Sequence, residues 1–420
     1  MSNPEASILI LGAGQAAARA AQALRSQGYA GSIVMLGAEP HFPYERPPLS
    51  KAVLVDDGEP ALDVLTPEQF AACNIHFISG VRARLLDTRE KLVHLDDGRQ
   101  LGYDRCLLAT GGRVRELPGL PQGALRTHYM RSLDDARKLR GALSEGTHLA
   151  IVGGGFLGLE VASSAMSRGA RVTVIESAPT LLGRFLPPEV ADWLTGFLRG
   201  EGVRLELGSS VRAARSSEEG VEIELGTGEV IRADQALVAI GLIPEVELAE
   251  AAGLRLDEQN GGILVDADGR SSEPGVFAAG DCASQFNVHL GRFVRIESWQ
   301  NANEQGEAAA AGMLGTAPRK QAFPWFWTDQ GRHNLQMLGL GAPDLAYVRR
   351  GDPGEGKAVW IGHRDGVPVH GIALNAGGDL RALRPLFEER VSFDAAEFGV
   401  GGQPLRAWVK ATLALHPTRT

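Results

Sequence analysis

Two stretches of this chain, about 140 positions apart, each pass from a short apolar run through a glycine turn into a helix, and this internal repeat limits the fold more than any other feature. In the first, Ser7-Ile8-Leu9-Ile10-Leu11 reads as a buried strand that breaks at Gly12 and Gly14, before an Ala-rich helix over residues 15–25. In the second, His148-Leu149-Ala150-Ile151-Val152 leads into Gly153-Gly154-Gly155-Phe156-Leu157-Gly158 and a helix over residues 156–168. Both match the G-x-G-x-x-G/A turn of a dinucleotide-binding βαβ unit. The first glycine allows the tight turn and the second a close approach to a pyrophosphate. The third position, Ala17 or Gly158, keeps helix and strand in contact. The free N–H groups and positive dipole of each helix start would hold the phosphates. Taken alone, such a turn also serves packing. Two complete copies imply two nucleotide sites.

The acids that follow sharpen this. Arg171-Val172-Thr173-Val174-Ile175 is a second strand closed by Glu176, at close to the usual ~20 residues past the glycines. A carboxylate there pairs with a ribose 2′-hydroxyl and repels a 2′-phosphate, which favours NAD over NADP. In the first copy Ser32-Ile33-Val34-Met35-Leu36 is the second strand and Glu39 the candidate ribose acceptor, set a little further on; the alternative is a solvated turn carboxylate. Between the copies, His41 to Lys51 carries Pro47 and Pro48, which fix the entry into a short helix, with Arg46 and Lys51 beside it. It reads either as a surface turn or as a rigid cationic element facing an anionic ligand.

Composition sets the class. A chain of 420 residues exceeds one ordinary core, so two or three domains are expected. The formal charge of −9 argues against nucleic acid or anionic lipid as a partner. Cys73, Cys106 and Cys282 lie far apart, with no metal or redox spacing, which fits a reducing compartment. The ten histidines show no clustering, and no metal site is expected. The N-terminus lacks a basic n-region and no apolar run approaches the roughly 18–20 residues of a span, so a cytoplasmic location is expected.

Residues 75–108 alternate in β fashion, with Ile75-His76-Phe77-Ile78, Lys91 to Leu95 and Gln100-Leu101, and read as an antiparallel meander. Arg105 to Thr110 is a strand opening onto Gly111-Gly112, and residues 113–121 a linker. Residues 203–238 are strand-rich. Val276 to Ala279 is a strand ending at Gly280-Asp281, and an Ala- and Gly-rich helix spans 298–313. From Pro324 the composition turns aromatic, then alternates, as in Asn334 to Leu338 and Ala358 to Ile361; this is a third, α+β domain.

Taken together, Gly12-Ala13-Gly14, Arg46-Pro47-Pro48-Leu49-Ser50-Lys51, Ala109-Thr110-Gly111, Gly153 to Glu160, Ala278-Ala279-Gly280-Asp281, Glu297-Ser298-Trp299-Gln300-Asn301-Ala302 and Pro324-Trp325-Phe326-Trp327-Thr328-Asp329-Gln330 cover the whole chain in order. In these segments the chain resembles the FAD-dependent, NADH-using ferredoxin reductases of bacterial Rieske oxygenase and P450 electron-transfer chains. The resemblance implies an α/β fold with two Rossmann-like nucleotide-binding domains, glutathione-reductase-like, plus a C-terminal α+β domain covering the flavin. It implies an FAD domain at 1–116 and 241–323, an NAD domain at 117–240 and the C-terminal domain at 324–420. FAD would meet Gly12, Gly14, Ala16, Ala17, Glu39, Arg46, Lys51, Val81, Ala109, Thr110, Gly111, Arg131, Gly280, Asp281, Glu297, Ser298, Trp299 and Trp327. NAD would meet Gly153, Gly155, Phe156, Leu157, Gly158, Glu160, Glu176, Ser177, Arg184, Ile240 and Gly241. Lys51 and Glu160 form an ion pair beside the reactive flavin edge in relatives. The residue-level alternatives are that Trp299 and Trp327 are core aromatics and that Asp281 caps a helix.

The implied chemistry is hydride transfer from NADH to FAD, then single-electron delivery to a docked [2Fe–2S] ferredoxin. Disulfide reductases, NADH peroxidases and coenzyme A disulfide reductases share both turns but need cysteine in the first domain, and residues 39–54 hold none. Cys282 reads as a buried structural thiol. Trp299 and Trp325-Phe326-Trp327 lean towards the reductases of aromatic-ring dioxygenases with a Rieske-type ferredoxin. A vertebrate-type ferredoxin or rubredoxin of a P450 or alkane hydroxylase system is the alternative. A redox-responsive binding flavoprotein resembling apoptosis-inducing factor is a reading of another class. A monomer or weak homodimer is expected.

Overall fold

The computed structural model describes residues 7–56, 58–317 and 320–415. The chain divides into two compact units, each assembled from three separate segments. One comprises 1–48, 60–113 and 242–322, the other 49–59, 114–241 and 323–420.

The first unit is built on a five-stranded parallel sheet in the order Val276–Ala278, Arg105–Leu108, Ile8–Leu11, Ile33–Gly37, Ile75–Ser79. Ile8, Leu9, Ile10 and Leu11 are all buried, as a central strand covered on both faces requires. The helix Gln15–Ser26 turns six alanines inward, and the helix Trp299–Leu314 packs on it. Small residues make that approach possible: a Cβ on Gly306 would lie 2.5 Å from the Ala16 carbonyl oxygen.

The meander differs from expectation. Ile75–Ser79 pairs in parallel with Ile33–Gly37 as the edge of the main sheet. The antiparallel sheet is instead Ala83–Asp87, Leu92–Leu95 and Gln100–Gly102. An apolar–polar alternation marks a strand with one covered face but does not say which neighbour it pairs with.

The second unit carries its own parallel sheet, in the order Arg204–Leu207, Arg171–Glu176, His148–Val152, Gln235–Val238, Thr127–His128. Beside it lies an antiparallel sheet of Val211–Ser216, Val221–Leu225 and Val230–Ala233. Residues 113–121, expected as a linker, are in part packed: Leu120 is buried, and its carbonyl accepts the Tyr129 hydroxyl at 2.8 Å. The helix Pro188–Gly200 went unread in the sequence, although Pro188 at its start and the buried Val190, Ala191, Leu194 and Leu198 give it a proline entry and an apolar stripe.

The C-terminal segment of this unit is a five-stranded antiparallel sheet, Trp325–Gln330, His333–Gly339, Val367–Leu374, Lys357–Arg364, Ala346–Asp352. The helices Gly377–Glu388 and Leu405–Leu415 pack with it around Phe387, Phe398 and Trp408. The Trp360 indole N–H donates to Glu189 at 2.9 Å and that of Trp193 to the Pro353 carbonyl at 3.1 Å, tying Pro188–Gly200 to this sheet. Among the described residues no helix is long and apolar enough to cross a membrane.

Candidate functional site

In the first unit the expected residues gather at the carboxyl ends of neighbouring parallel strands, where open α/β sheets take ligands. Gly12 has φ +115°, and a Cβ there would stand 2.1 Å from the Ala109 carbonyl oxygen, so the turn admits no side chain. Gly14 caps the helix Gln15–Ser26 without a side-chain hydrogen bond, no acid occupies the first turn, and a Cβ on it would meet nothing within 4 Å. The leading N–H groups therefore meet no side-chain cap and no competing first-turn carboxylate. That is the cradle a pyrophosphate requires. Ala16 and Ala17 are buried behind it.

Around this turn stand the other expected groups. Ala109, Thr110 and Gly111 follow Arg105–Leu108. The Ala109 N–H donates to the Leu11 carbonyl at 2.8 Å, and the Thr110 hydroxyl to the Glu245 carbonyl at 2.6 Å. Gly280 and Asp281 follow Val276–Ala278, and the Gly280 N–H donates to Gln305 at 2.8 Å. The Val81 N–H donates to the Gly37 carbonyl at 3.0 Å. Glu39 accepts from the Tyr44 hydroxyl at 2.5 Å and from Arg46 at 2.7 Å. Burial works to lower the Arg46 pKa, but Tyr44, Glu39 and Asp281 outweigh it and hold the guanidinium above its ordinary value. Asp281 precedes a strand, Ala283–Asn287, so it caps no helix. Ser298 does cap one, its hydroxyl accepting the Asn301 N–H at 3.2 Å. Trp299 begins that helix with 37% of its surface exposed and is no core aromatic.

Sequence reasoning missed Arg295. Its guanidinium donates to the Asp281 carbonyl at 3.2 Å and to Glu297 at 2.5 Å, linking two expected site residues. The spacing of Arg295 and Glu297 on an extended segment was the available signal.

The second unit repeats the cradle. Gly153 has φ +111°, and its Cβ would fall 2.3 Å from the Ala239 carbonyl oxygen. Gly155 caps Phe156–Ser167 with no side-chain bond and no acid in the first turn. Leu157 lies in that turn, and a Cβ on Gly158 would be 2.1 Å from the Gly153 carbonyl oxygen. Glu176 accepts from the Gly154 N–H at 2.8 Å, the Ala178 N–H at 2.7 Å and the Ser177 hydroxyl at 3.2 Å. Ile240 and Gly241 follow Gln235–Val238 at the same edge. Phe156 packs on Phe185 and Phe326, with ring centroids 5.1 and 4.7 Å away. Arg184 is exposed beside Phe185. Arg131 sits just before the helix Leu133–Ala142, its N–H on Asp135 at 3.1 Å.

Lys51 and Glu160 are brought together as expected, with Nζ 3.1 Å from Oε1. Glu160 is 7% exposed. It accepts from the Ser50 and Thr328 hydroxyls, each at 2.6 Å, and from the Asp329 N–H at 3.3 Å. A buried carboxylate is tolerable only when paired and hydrogen-bonded in this way. Lys51 also reaches Asp329 at 3.5 Å and lies 5.9 Å from the Trp327 ring centroid. Trp327 is half-buried and stacks on Trp325. Ser50, Thr328 and Asp329 were not expected in these supporting roles. They stand at the two ends of a pairing whose partners are far apart in the chain.

The chain holds three cysteines and all are free thiols, Cys106 and Cys282 buried; burial pushes both of these thiols up. No two of them form a disulfide. Among the described residues no cluster of His, Cys, Asp and Glu is placed to hold a metal.

Comparison with known proteins agrees with this layout. Residues 6–306 match the family model for pyridine nucleotide-disulphide oxidoreductases, and residues 325–409 a reductase C-terminal model. The ferredoxin–NAD(+) reductase component of an anthranilate 1,2-dioxygenase system from Burkholderia cepacia is 44% identical, over 90% of this chain and 93% of that protein. The corresponding component of a 3-phenylpropionate/cinnamic acid dioxygenase system from Photorhabdus laumondii is 38% identical, over 90% and 95%. A solved covalent complex of putidaredoxin reductase with putidaredoxin superposes with a TM-score of 0.93 at 33% identity, covering 98% of this chain and all of that one. The chain belongs to the pyridine nucleotide-disulphide oxidoreductases and, within them, to the ferredoxin–NAD(+) reductases.

Proposed function

We propose that this protein passes electrons from NADH through FAD to a [2Fe–2S] ferredoxin, Rieske-type, that feeds an aromatic-ring dioxygenase. The observation that carries the reading is the pair of uncapped, acid-free helix starts behind glycine turns, one in each unit, together with a Lys51–Glu160 pair in a chain whose three cysteines have no paired redox spacing. The names of the two dioxygenase-system relatives support the partner and the pathway class.

In this reading the segments 1–116 and 241–323 form the FAD domain, 117–240 the NAD domain and 324–420 a C-terminal domain over the flavin. The turn at Gly12 and Gly14 holds the FAD pyrophosphate. Glu39, Arg46, Ala109 to Gly111, Asp281, Glu297 to Trp299, Lys51, Arg131 and Trp327 are the further residues we assign to FAD. Gly153 to Gly158, Glu176, Ser177, Arg184, Ile240 and Gly241 take NADH. Glu176 selects against a 2′-phosphate by charge. When bound, FAD supplies the conversion of a hydride into electrons released one at a time. The protein's part is to stack the nicotinamide, exclude water and hold a fixed positive charge where negative charge develops. Lys51 supplies that charge, and Glu160 fixes its position. No side chain needs to move a proton for the hydride step. We further propose a cytoplasmic location and a monomer or weak homodimer.

The test is direct. Purified protein should be yellow with bound FAD and, given NADH, should reduce cytochrome c only when a [2Fe–2S] ferredoxin is added. A panel of Rieske-type and vertebrate-type ferredoxins and rubredoxin separates the partners. Protein that stays colourless when FAD is supplied, or that shows no ferredoxin-dependent turnover with any of the panel, would overturn the reading.

A further inference from the structure

Lys51 stands between two carboxylates that are held very differently. Glu160 is buried, and its oxygens take two hydroxyls and a backbone N–H besides the ammonium. Asp329 has a side chain 38% exposed. One of its oxygens is 3.5 Å from Lys51, and the other accepts from the Asn334 amide at 2.7 Å. From there a chain of bonds runs inward. Asn334 Oδ1 accepts from Gln336 Nε2 at 2.9 Å, and Gln336 Oε1 accepts from the Trp325 indole N–H at 3.2 Å. Trp325 stacks on Trp327, centroids 5.1 Å apart and planes 21° apart, and Trp327 lies against Lys51. The contacts therefore close into a ring: Lys51, Asp329, Asn334, Gln336, Trp325, Trp327 and back to Lys51.

The two-residue period of the strands builds this ring. Trp325, Trp327 and Asp329 share one face of Trp325–Gln330. Antiparallel register sets Gln336 opposite Trp327 and Asn334 opposite Asp329. Gly377 leaves room for it, since a Cβ there would meet Gln336 Nε2 at 2.3 Å. A lone half-exposed aspartate would swing between solvent and the lysine. This one is pinned through three successive polar contacts to a stacked tryptophan.

We propose that Asp329 is a positioning residue for Lys51. With Glu160 it makes a two-carboxylate clamp on the ammonium, and the Asn334–Gln336–Trp325 chain holds it in place. The proposal rests on the reading that Lys51 serves a bound flavin. Charge at Lys51 favours electron density on its neighbour, and each carboxylate drawn to Lys51 offsets that. Neutralising Asp329 should therefore make the flavin easier to reduce. It should also free the ammonium to shift towards Glu160 alone, slowing reduction by NADH on the order of threefold to tenfold through misplacement.

The experiment compares the FAD-loaded wild type with D329N, D329E, N334A, K51M and the double variant K51M/D329N. Flavin midpoint potential is read by dye equilibration, NADH reduction by stopped flow, and folding by thermal melting. D329N is expected to move the midpoint positive without changing the melting temperature, D329E to restore it, and N334A to move it the same way by less. In the K51M background the slowing of NADH reduction by D329N should vanish, because the aspartate positions the lysine, while the part of the midpoint shift due to its own charge should persist. No midpoint shift in D329N, or an equal slowing with and without Lys51, would overturn the proposal. Failure to hold FAD at all would show in the wild type before any variant is compared, and would count against the flavin reading instead.

Discussion

His370 stands on the strand Val367–Leu374 with 1% of its surface exposed, and the Tyr347 hydroxyl meets its Nδ1 at 2.8 Å. Burial pushes its pKa down to about 4. The unfolded chain would protonate this residue near its ordinary 6.5, the folded chain only near 4. Between those values the unfolded state binds more protons, so stability falls as pH falls through the window and is unaffected above it. The full difference is about 3 kcal/mol at the lower end. Thermal melts of the wild type and His370→Gln should diverge accordingly. The variant is expected to lose less stability than the wild type between pH 6.5 and 4, and parallel pH profiles would refute the assignment.

At the scale of elements, the two helices Gln15–Ser26 and Trp299–Leu314 depend on a close backbone approach at Gly306. Gly306→Ala sets two effects against each other. Alanine favours the helix by about 1 kcal/mol. Its methyl would press on the Ala16 carbonyl, a backbone atom that cannot rotate away, at a cost of about 1–3 kcal/mol for overpacking. The clash should win, lowering the melting temperature and loosening the turn at Gly12 that precedes this helix. Calorimetry and the FAD content of the purified variant would measure both, and an unchanged melting temperature would contradict the packing argument.

The same elements show what the sequence makes legible. Both βαβ units can be read because strand, glycine turn, helix and acid follow one another within about thirty residues, the span of one such unit. Glu39, Glu176 and the two turns stand where that local grammar puts them. Ile75–Ser79 was assigned to the wrong sheet because alternation is silent about the neighbouring strand. The supports of Lys51 were unreadable for a related reason. Ser50, Glu160, Thr328 and Asp329 come from three distant segments, and only the register of Trp325–Gln330 against His333–Gly339 puts Asn334 and Gln336 beside them. Arg295 bonds to a backbone carbonyl, which residue type does not encode.

For the whole molecule, the consequence of assembling each unit from three interleaved segments lies in the order of synthesis. The alanine face of Gln15–Ser26 is made early, but its cover, Trp299–Leu314, is made last among the elements of that sheet and its helices. At ribosomal rates of about 5–20 residues per second, that face waits some tens of seconds for its partner. The strand Arg105–Leu108 has a shorter but still long wait for Val276–Ala278 on its open edge. A chain stopped after residue 298 should therefore aggregate or bind chaperone, while one carried through residue 322 should bury the alanine face. Sedimentation of ribosome-released fragments of the two lengths would show it, and equal solubility would refute it. A nascent chain of this protein is thus committed to carrying its nucleotide-turn helix half-finished through most of its translation.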